Sequence, residues 1–346
     1  MQANNRFSVV GAIVPRSRGS LTFKLGLLLV IGAIFACIAD ASCGCSSGTW
    51  GGADDWLNEN SELPDWFYTG LSPSYESNVD ETELTDEKKP ITISPEDLLI
   101  DMEGDSRYVV VYTENIKIDS YLKGSVFLPS GSFIDGNGHL LPVTDLALLL
   151  GAAGISEDDS LVVYGCWSCG NPTFVFWALK YLGHQNVLIL EGTIKDGRMD
   201  DWISAGLPVE ELPAKRPPAV YTPEPRPELL ATCSNLTDDG VLLVDARSAE
   251  KFNEEHIDGA INIEHQNLIG DGIFLDQETL GDLFKELIGD GKVVVYSERG
   301  GKASVVWCAL ELMGYDASLY AGDALSYWLL QKTSGGVAEN GSPSIA

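Results

Sequence analysis

The same predicted succession of strands and helices occurs twice along this chain of 346 residues. The separation between matching positions stays between 130 and 132 residues for three pairs: Tyr164 and Tyr296, Gly183 and Gly314, and Gly192 and Gly322. An internal repeat this regular indicates two copies of one structural unit. The sequence therefore predicts two similar domains in tandem rather than one continuous sheet.

Short apolar runs alternate with longer helical segments in each copy. The runs predicted as strands are Val109–Tyr112, Leu161–Tyr164 and Val187–Leu190 in the first copy, and Leu242–Asp245, Val293–Tyr296 and Ser318–Tyr320 in the second. Unbroken apolar runs are typical of parallel strands that are covered on both faces. Thr173–Leu182 and Ala303–Met313 are apolar nearly all round, so they predict buried helices, each ended by a glycine. We expect an α/β fold in which each domain has a mainly parallel central sheet flanked by helices.

Composition divides the chain into six predicted segments. The stretch 211–227 is rich in proline and is typical of a stiff spacer. The stretch 46–90 is acidic and is typical of an extended spacer. The predicted boundaries are 1–45 for a signal peptide or a membrane or lipoprotein anchor, 46–90 for the spacer, 91–210 for the first domain, 211–227 for the linker, 228–332 for the second domain, and 333–346 for a flexible C-terminal tail.

The charge is strongly negative except at the start of the chain. Lys and Arg total 22 against 51 Asp and Glu, which gives a net charge of −29 and makes nucleic acid an unfavourable partner. The first 39 residues hold four basic residues and no acid, and Leu25–Ala39 then runs for 15 residues without a charge. This pattern is typical of a secretory signal, since a membrane-spanning helix needs about 20 apolar residues. We expect an exported protein, secreted or held at the outer face of the cytoplasmic membrane by its N-terminal segment.

Four motifs of the second copy resemble a rhodanese domain, the sulfurtransferase fold. In chain order they are Val244–Ser248 (VDARS), His256–Ile263 (HIDGAINI), Val293–Tyr296 with its following loop, and Leu319–Gly322 followed by Trp328. The first copy is more diverged: Leu122–Pro129 stands in the place of the HIDGA motif, followed by Tyr181–His184 and Leu190–Gly192. The resemblance covers about residues 91 to 330 and implies a tandem rhodanese-like protein.

The resemblance implies a cysteine at the start of a loop between a central strand and a helix. Backbone N–H groups and the positive end of the helix face the sulfur and stabilise a thiolate or persulfide. A small donor such as thiosulfate gives its outer sulfur to the cysteine, which passes that sulfur to a thiol acceptor. The family loop is Cys-x-x-Gly-x-Arg, and this chemistry implies no cofactor.

The two loops of this chain depart from that pattern in different ways. The second loop has Ser297 in the place of the nucleophile, so it is predicted to be degenerate. Its other residues are Arg299 and three that fit an anion cradle, Gly300, Gly301 and Lys302. The first loop supplies the predicted catalytic residues, Cys166 with Cys169 second, and the predicted cradle residues, Trp167, Ser168, Gly170 and Asn171. Counting back from the helix-ending glycines aligns Cys166 with Ser297, whereas counting forward from the strand-ending tyrosines aligns Gly165 with Ser297. The loops are thus predicted to differ by one residue.

The other polar and sulfur-bearing residues have structural interpretations. Asp245 and Arg247 are predicted to form a pair that supports the second loop, and Cys308 is predicted to be a core residue. His184 and His256 are expected to hold local structure through hydrogen bonds. A metal site is not indicated, because the two close cysteines lack a second ligand pair with suitable spacing.

Three functions follow from these residues. The first is an exported sulfurtransferase that carries sulfane sulfur on Cys166. The second is a non-catalytic rhodanese-like module that binds anions or partners. The third is thiol–disulfide exchange through Cys166 and Cys169, since Cys-x-x-Cys at a helix start is also the arrangement of redox proteins.

Overall fold

A computed structural model describes residues 90–104, 107–136, 138–238, 240–289 and 291–335. The predicted signal segment lies outside these residues, as does the acidic spacer up to Pro90. Within the described ranges, no helix combines the length and the apolar character needed to cross a bilayer.

The first domain is built on a five-stranded sheet in which every pairing is parallel. Its strand order is β1-β6-β5-β2-β4, and β3 and β7 form a separate antiparallel pair. The strands are β1 (Thr92–Ile93), β2 (Tyr108–Tyr112), β3 (Tyr121–Leu122), β4 (Val126–Phe127), β5 (Ser160–Tyr164), β6 (Val187–Leu190) and β7 (Val209–Glu210). The helices are α1 (Pro95–Glu103), α2 (Val143–Ala152), α3 (Asn171–Tyr181) and α4 (Asp200–Ser204), with a 3-10 turn at Ser130–Phe133.

The second domain repeats this sheet without its first edge strand. The order β13-β12-β8-β9 is again parallel throughout, and β10 pairs with β11 as a small antiparallel hairpin. The strands are β8 (Val241–Asp245), β9 (Ile261–Asn262), β10 (Ile269–Gly270), β11 (Ile273–Phe274), β12 (Lys292–Tyr296) and β13 (Ala317–Leu319). The helices are α5 (Ala249–Glu254), α6 (Gln277–Leu287), α7 (Gly301–Met313) and α8 (Ala324–Gly335), with 3-10 turns at Pro227–Leu229, Cys233–Thr237 and His265–Leu268.

The predicted α/β fold with two parallel sheets is confirmed, and the apolar runs mark its central strands. The structure shifts the third strand of the second domain by one residue, to Ala317–Leu319, and it starts α3 and α7 two residues earlier than predicted. Helix α8 continues to Gly335, three residues past the predicted end of the second domain.

One face of each sheet contributes to a core that both domains share. In β2 the alternation of side chains sends Val109 and Val111 into this core and sends Val110 and Tyr112 to the opposite face, which α1 and α4 cover. Helices α3 and α7 lie inside the shared core, so their apolar residues are buried on nearly all sides. The two domains therefore bury one continuous apolar interior.

The proline-rich linker runs along the first domain in an extended conformation. Its backbone N–H groups donate to first-domain carbonyls at four points, from Ala214 to Ser125, from Ala219 to Gly151, from Glu224 to Leu182 and from Arg226 to Tyr181. The Arg216 guanidinium also bonds the Asp159 carboxylate at 2.9 Å. We call residues 214–226 the strap, because these contacts fasten the linker to the first domain.

The two domains meet where α3 and α7 begin. Gly170 precedes α3 with a φ of 74°, and a Cβ atom at this position would overlap the carbonyl oxygen of Gly301. One turn further on, the hydroxyls of Thr173 and Ser304 lie 2.8 Å apart across the interface. The helix starts are thus packed at backbone distance, which brings the two strand-to-helix loops together.

Each domain also extends a turn over the other one. The N–H of Gly192, which follows β6, donates to the Gly272 carbonyl in the β10–β11 hairpin at 2.9 Å. In the opposite direction, the first-domain turn at Gly138 and His139 packs against Arg299 and Gly322 of the second domain. These reciprocal contacts enclose both loops.

Gly170→Ala is expected to lower the free energy of unfolding by about 2–5 kcal/mol. A positive φ costs an L-residue about 1–2 kcal/mol, and the overlap with Gly301 adds an overpacking cost of about 1–3 kcal/mol. Urea denaturation followed by tryptophan fluorescence measures the change. The matched control is Gly124→Ala, because Gly124 has a φ of 75° and open space around its Cβ position. Equal losses in the two variants would show that the helix contact contributes nothing.

Candidate active site

Two loops occupy equivalent places, each between a central strand and a buried helix. Residues 165–169 link β5 to Gly170 before α3, and residues 297–299 link β12 to Gly300 before α7. Gly170 and Gly300 share the left-handed conformation, with φ values of 74° and 86°. The predicted difference of one residue is therefore wrong: the first loop is two residues longer. Helix α3 is shorter than α7, so a count back from the helix-ending glycines detects only one of the two extra residues.

The first loop contains a disulfide between Cys166 and Cys169. Their Cα atoms are 5.3 Å apart, and Cys169 directly precedes Gly170, next to the start of α3. Cys166 is buried with 2% of its surface exposed, whereas Cys169 is half-buried. Solvent therefore has better access to Cys169 than to Cys166, which the sequence ranks first.

The two residues between the cysteines are held by both domains. The Trp167 backbone N–H donates to Thr193 Oγ1 at 3.2 Å, and its indole Nε1–H donates to the Leu190 carbonyl at 3.0 Å. The Trp167 ring also makes an edge contact with Phe274 of the second domain, with 5.0 Å between centroids. The Ser168 carbonyl faces His265 Nε2 of the second domain at 3.0 Å. Both domains thus fix the shape of the loop.

His265 lies buried between the two domains. Its Nδ1 is 3.1 Å from the Ala246 carbonyl, while Nε2 faces Ser168, so both ring nitrogens point at carbonyl oxygens. Burial lowers the pKa of His265, although the hydrogen bond to Ser168 opposes this effect. A neutral imidazole has one N–H and can donate to only one of the two carbonyls at a time.

A carboxylate that the sequence analysis missed enters the first loop from the end of β2. Glu114 is 3% exposed; its Oε1 accepts the Cys166 backbone N–H at 2.6 Å, and its Oε2 accepts Asn171 Nδ2 at 2.7 Å. The predicted cradle residue Asn171 is fixed in turn, because its Oδ1 accepts the Ser130 hydroxyl at 2.7 Å. A comparison of the two copies could have found Glu114. It lies two residues after β2, and Arg247 lies two residues after the equivalent strand β8.

The second loop keeps the cradle shape around a serine. Ser297 is buried, and its Oγ accepts the backbone N–H groups of Gly300 at 3.1 Å and Ala303 at 3.3 Å. Lys302 Nζ lies 3.8 Å from Glu298 at the rim of the loop. The N–H groups that would stabilise a cysteine thiolate are therefore present and directed at a hydroxyl.

The predicted Asp245–Arg247 pair is present. Arg247 Nη2 lies 2.7 Å from Asp245 Oδ2, and the same nitrogen donates to the Glu255 carbonyl at 2.6 Å. Both side chains are nearly inaccessible to solvent. The pair ties the end of β8 to the end of α5.

The residues with predicted structural roles have the expected surroundings. Cys308 is fully buried in α7, His184 contacts the Tyr221 hydroxyl and the Asp159 carbonyl, and His256 Nδ1 contacts the Phe252 carbonyl at 2.8 Å. Across the described ranges, His, Cys, Asp and Glu side chains form no group of three or more that could hold a metal ion.

Comparison with known proteins agrees with this geometry. The model of the rhodanese-like domain matches residues 230–328. The chain is 32% identical over 200 residues to a Haloferax volcanii protein named "Putative thiosulfate sulfurtransferase", covering 51% of this chain and 68% of the relative. It is 31% identical over 229 residues to "Putative thiosulfate sulfurtransferase SseB" of Mycobacterium tuberculosis, covering 59% of this chain and 79% of the relative. The chain belongs to the rhodanese family.

Solved structures of rhodanese-fold proteins superpose on both domains together. SseA from Escherichia coli, described as a 3-mercaptopyruvate sulfotransferase, aligns with a TM-score of 0.60 at 20% identity, covering 68% of this chain and 98% of SseA. Tum1 from Saccharomyces cerevisiae aligns with a TM-score of 0.59 at 17% identity, covering 73% of this chain and 99% of Tum1. This rhodanese therefore has the fold of these neighbours. Its similarity to the relatives named thiosulfate sulfurtransferase makes it a sulfurtransferase-like protein.

Ser297→Cys is expected to create a reactive thiol in the second loop of this rhodanese. The N–H groups of Gly300 and Ala303 would then face a sulfur and stabilise its thiolate. The variant is made in a background with Cys166→Ser and Cys169→Ser, so that neither loop has another thiol. Incubation with thiosulfate followed by peptide mass spectrometry should show one added sulfur atom on residue 297. The same background with Ser297 intact is the control, and no gain over it would show that the second cradle is closed to donors.

Proposed function

We propose that this rhodanese is a sulfurtransferase whose reactive centre is the Cys166–Cys169 pair of the first loop. The observation that carries the proposal is the joining of two cysteines at the start of a buried helix, while the equivalent position of the second loop holds a serine. A helix start favours the thiolate, which is the reactive form of cysteine. The pair is also supported by both domains, through Thr193 and His265.

The reaction begins from the reduced pair, and Cys169 takes the sulfur because it is the more accessible cysteine. The Cys169 thiolate attacks the outer sulfur of a sulfane donor; a Cys169–sulfur bond forms, the donor's sulfur–sulfur bond breaks, and the rest of the donor leaves with the electron pair. With thiosulfate the leaving group is sulfite. The product is a Cys169 persulfide.

Two routes then remove the sulfane sulfur. A thiol acceptor can attack the outer sulfur, which regenerates the Cys169 thiolate and leaves a persulfide on the acceptor. Alternatively, the Cys166 thiol can attack Cys169 Sγ, which closes the disulfide and releases hydrosulfide that carries the proton of Cys166. A dithiol reductant must then reopen the disulfide, being oxidised to its own disulfide.

A second candidate function is thiol–disulfide exchange, and the disulfide itself favours it. A thiolate of a partner would attack Cys169 Sγ, form a mixed disulfide and leave Cys166 as the thiolate. A second thiol of the partner then releases Cys169, so that the pair is reduced and the partner is oxidised. This reaction moves two electrons and no sulfur atom, which separates it from sulfur transfer by mass.

The sulfurtransferase proposal predicts that Cys169→Ser abolishes sulfur loading, whereas Cys166→Ser keeps the persulfide and loses hydrosulfide release. The first variant lacks the accepting sulfur, and the second lacks the thiol that resolves the persulfide. Reduced, desalted protein is incubated with thiosulfate and, separately, with the hydrodisulfide of 2-mercaptoethanol. Intact-protein mass spectrometry counts added sulfur atoms, and a sulfide assay follows release.

Cys233→Ser is the matched control, since it removes a partly exposed cysteine outside both loops. Loading in Cys169→Ser together with none in Cys166→Ser would reverse the two roles and restore the order predicted from the sequence. No loading of the unaltered protein from any donor, with normal exchange with disulfides, would leave only the second candidate.

Export completes the proposal: the apolar run Leu25–Ala39 directs the protein across the cytoplasmic membrane, so that the domains lie outside the cytoplasm. The basic, acid-free start of the chain supports it, as does a disulfide, because such bonds persist in oxidising compartments.

A fusion of residues 1–50 to a reporter that is active only in the cytoplasm should be silent. The control fusion has Leu28→Arg and Leu29→Arg, which break the apolar run and should restore the signal. Full activity of the unaltered fusion in the soluble cytosol would contradict export.

A further inference from the structure

We propose that Glu114 selects the sulfur donor of the first loop, so that the pair takes sulfur from uncharged hydrodisulfides and discriminates against anionic donors such as thiosulfate. This inference rests on the sulfurtransferase function proposed above. It concerns a carboxylate that touches the loop directly, through the backbone N–H of Cys166.

Glu114 fills the place in the first loop that the Ser297 side chain holds in the second. Gly165 follows β5 as Ser297 follows β12, and the paired strands put both residues at the same edge of their sheets. A Cβ atom on Gly165 would overlap Glu114 Oε1 and lie 2.7 Å from Thr113 Oγ1. Position 165 therefore has room for no side chain while Glu114 is in place.

Two donors of the first cradle are already bonded to this carboxylate. Glu114 Oε1 accepts the Cys166 N–H, and Oε2 accepts the side-chain amide of Asn171, the first residue of α3. An ionised carboxylate has acceptors only, which matches the two donors that point at its oxygens. The positive end of α3 is thus compensated by a charge of the protein itself.

An anionic donor meets repulsion at this loop. Like charges brought together in a partly desolvated site cost several kcal/mol, and each 1.4 kcal/mol changes a rate or affinity about tenfold. Thiosulfate carries two negative charges and would approach a loop whose buried neighbour is Glu114, in a chain of net charge −29. An uncharged donor avoids this cost. In the second domain the equivalent position holds Arg247, whose charge is paired with Asp245.

The reaction of a hydrodisulfide that has an uncharged R group, taken in its protonated form R–S–SH, needs no anion-binding site. The Cys169 thiolate attacks the terminal sulfur, the Cys169–sulfur bond forms, the sulfur–sulfur bond of the donor breaks, and R–S⁻ leaves. The proton stays on the transferred sulfur, so Cys169 becomes a neutral persulfide. The negative charge is carried away by the leaving thiolate instead of remaining in the loop that Glu114 contacts through the Cys166 N–H.

The test compares sulfur loading from donors that differ in charge. The hydrodisulfides of 2-mercaptoethanol and 3-mercaptopropionate share one transferable group and differ in a hydroxyl against a carboxylate, and thiosulfate is the third donor. Loading rates of reduced full-length protein are followed by intact-protein mass spectrometry. We expect the unaltered protein to load at least about tenfold faster from the uncharged hydrodisulfide than from thiosulfate, with the carboxylate donor between them.

Glu114→Gln should raise the ratio of the thiosulfate rate to the uncharged hydrodisulfide rate about tenfold. The double variant Glu114→Gln with Asn171→Asp reverses the direction of their hydrogen bond and returns one negative charge to the same cradle. It should restore the discrimination, which a purely structural role of Glu114 does not predict. Glu210→Gln, on the exposed strand β7, is the control for loss of one charge.

The possible outcomes distinguish a failure of the Glu114 inference from a failure of the proposed sulfurtransferase function. Failure of the unaltered protein to load from all three donors overturns the sulfurtransferase proposal. Loading at equal rates from the two matched hydrodisulfides and from thiosulfate overturns the role of Glu114 and leaves sulfur transfer standing. This second result needs no variant, so the inference remains testable even where Glu114→Gln does not fold.

Discussion

The close packing of Gly170 on Gly301 is the contact on which the rest of the molecule depends. Because neither position carries a side chain, the starts of α3 and α7 approach at backbone distance, and the hydroxyls of Thr173 and Ser304 bond across the gap. This approach merges the inner faces of both sheets into one apolar core. It also places the two strand-to-helix loops side by side, so that each is completed by residues of the other domain.

The two copies have filled the same cradle in different ways. In the second, backbone N–H groups converge on the hydroxyl of Ser297 at the end of its strand. In the first, Glu114 enters from the neighbouring strand, and its carboxylate occupies the space that a side chain at Gly165 would need. Two extra loop residues place Cys169 next to the helix start. The reactive cysteine of the first domain is thereby moved from the end of β5 to the end of the loop next to α3, where the more accessible cysteine, Cys169, lies.

Local sequence was sufficient for the central strands and the buried helices, since unbroken apolar runs and helix-ending glycines depend on neighbours in the chain. The loop environment was not predictable in this way. Glu114 lies 52 residues from Cys166, and His265 lies 97 residues from Ser168, so their contacts arise only from the docking of strands and domains. The predicted loop length was wrong for a related reason. Because α3 is shorter than α7, counting from the helix ends missed one of the two inserted residues. The left-handed glycines Gly170 and Gly300 give the correct alignment.

The strap has a consequence for how the chain could be divided. Arg226 donates to the Tyr181 carbonyl of the first domain, and only five residues later Ala231 donates to Leu319 in the second sheet. The connection is anchored on both sides, and the docking surfaces lie in the helices and hairpins rather than in the connection. A backbone cut within residues 214–226 would therefore leave two fragments with complementary faces, which suits this fold to reassembly from separately expressed halves. Lengthening the connection would not let the two domains move further apart, because their contacts lie elsewhere.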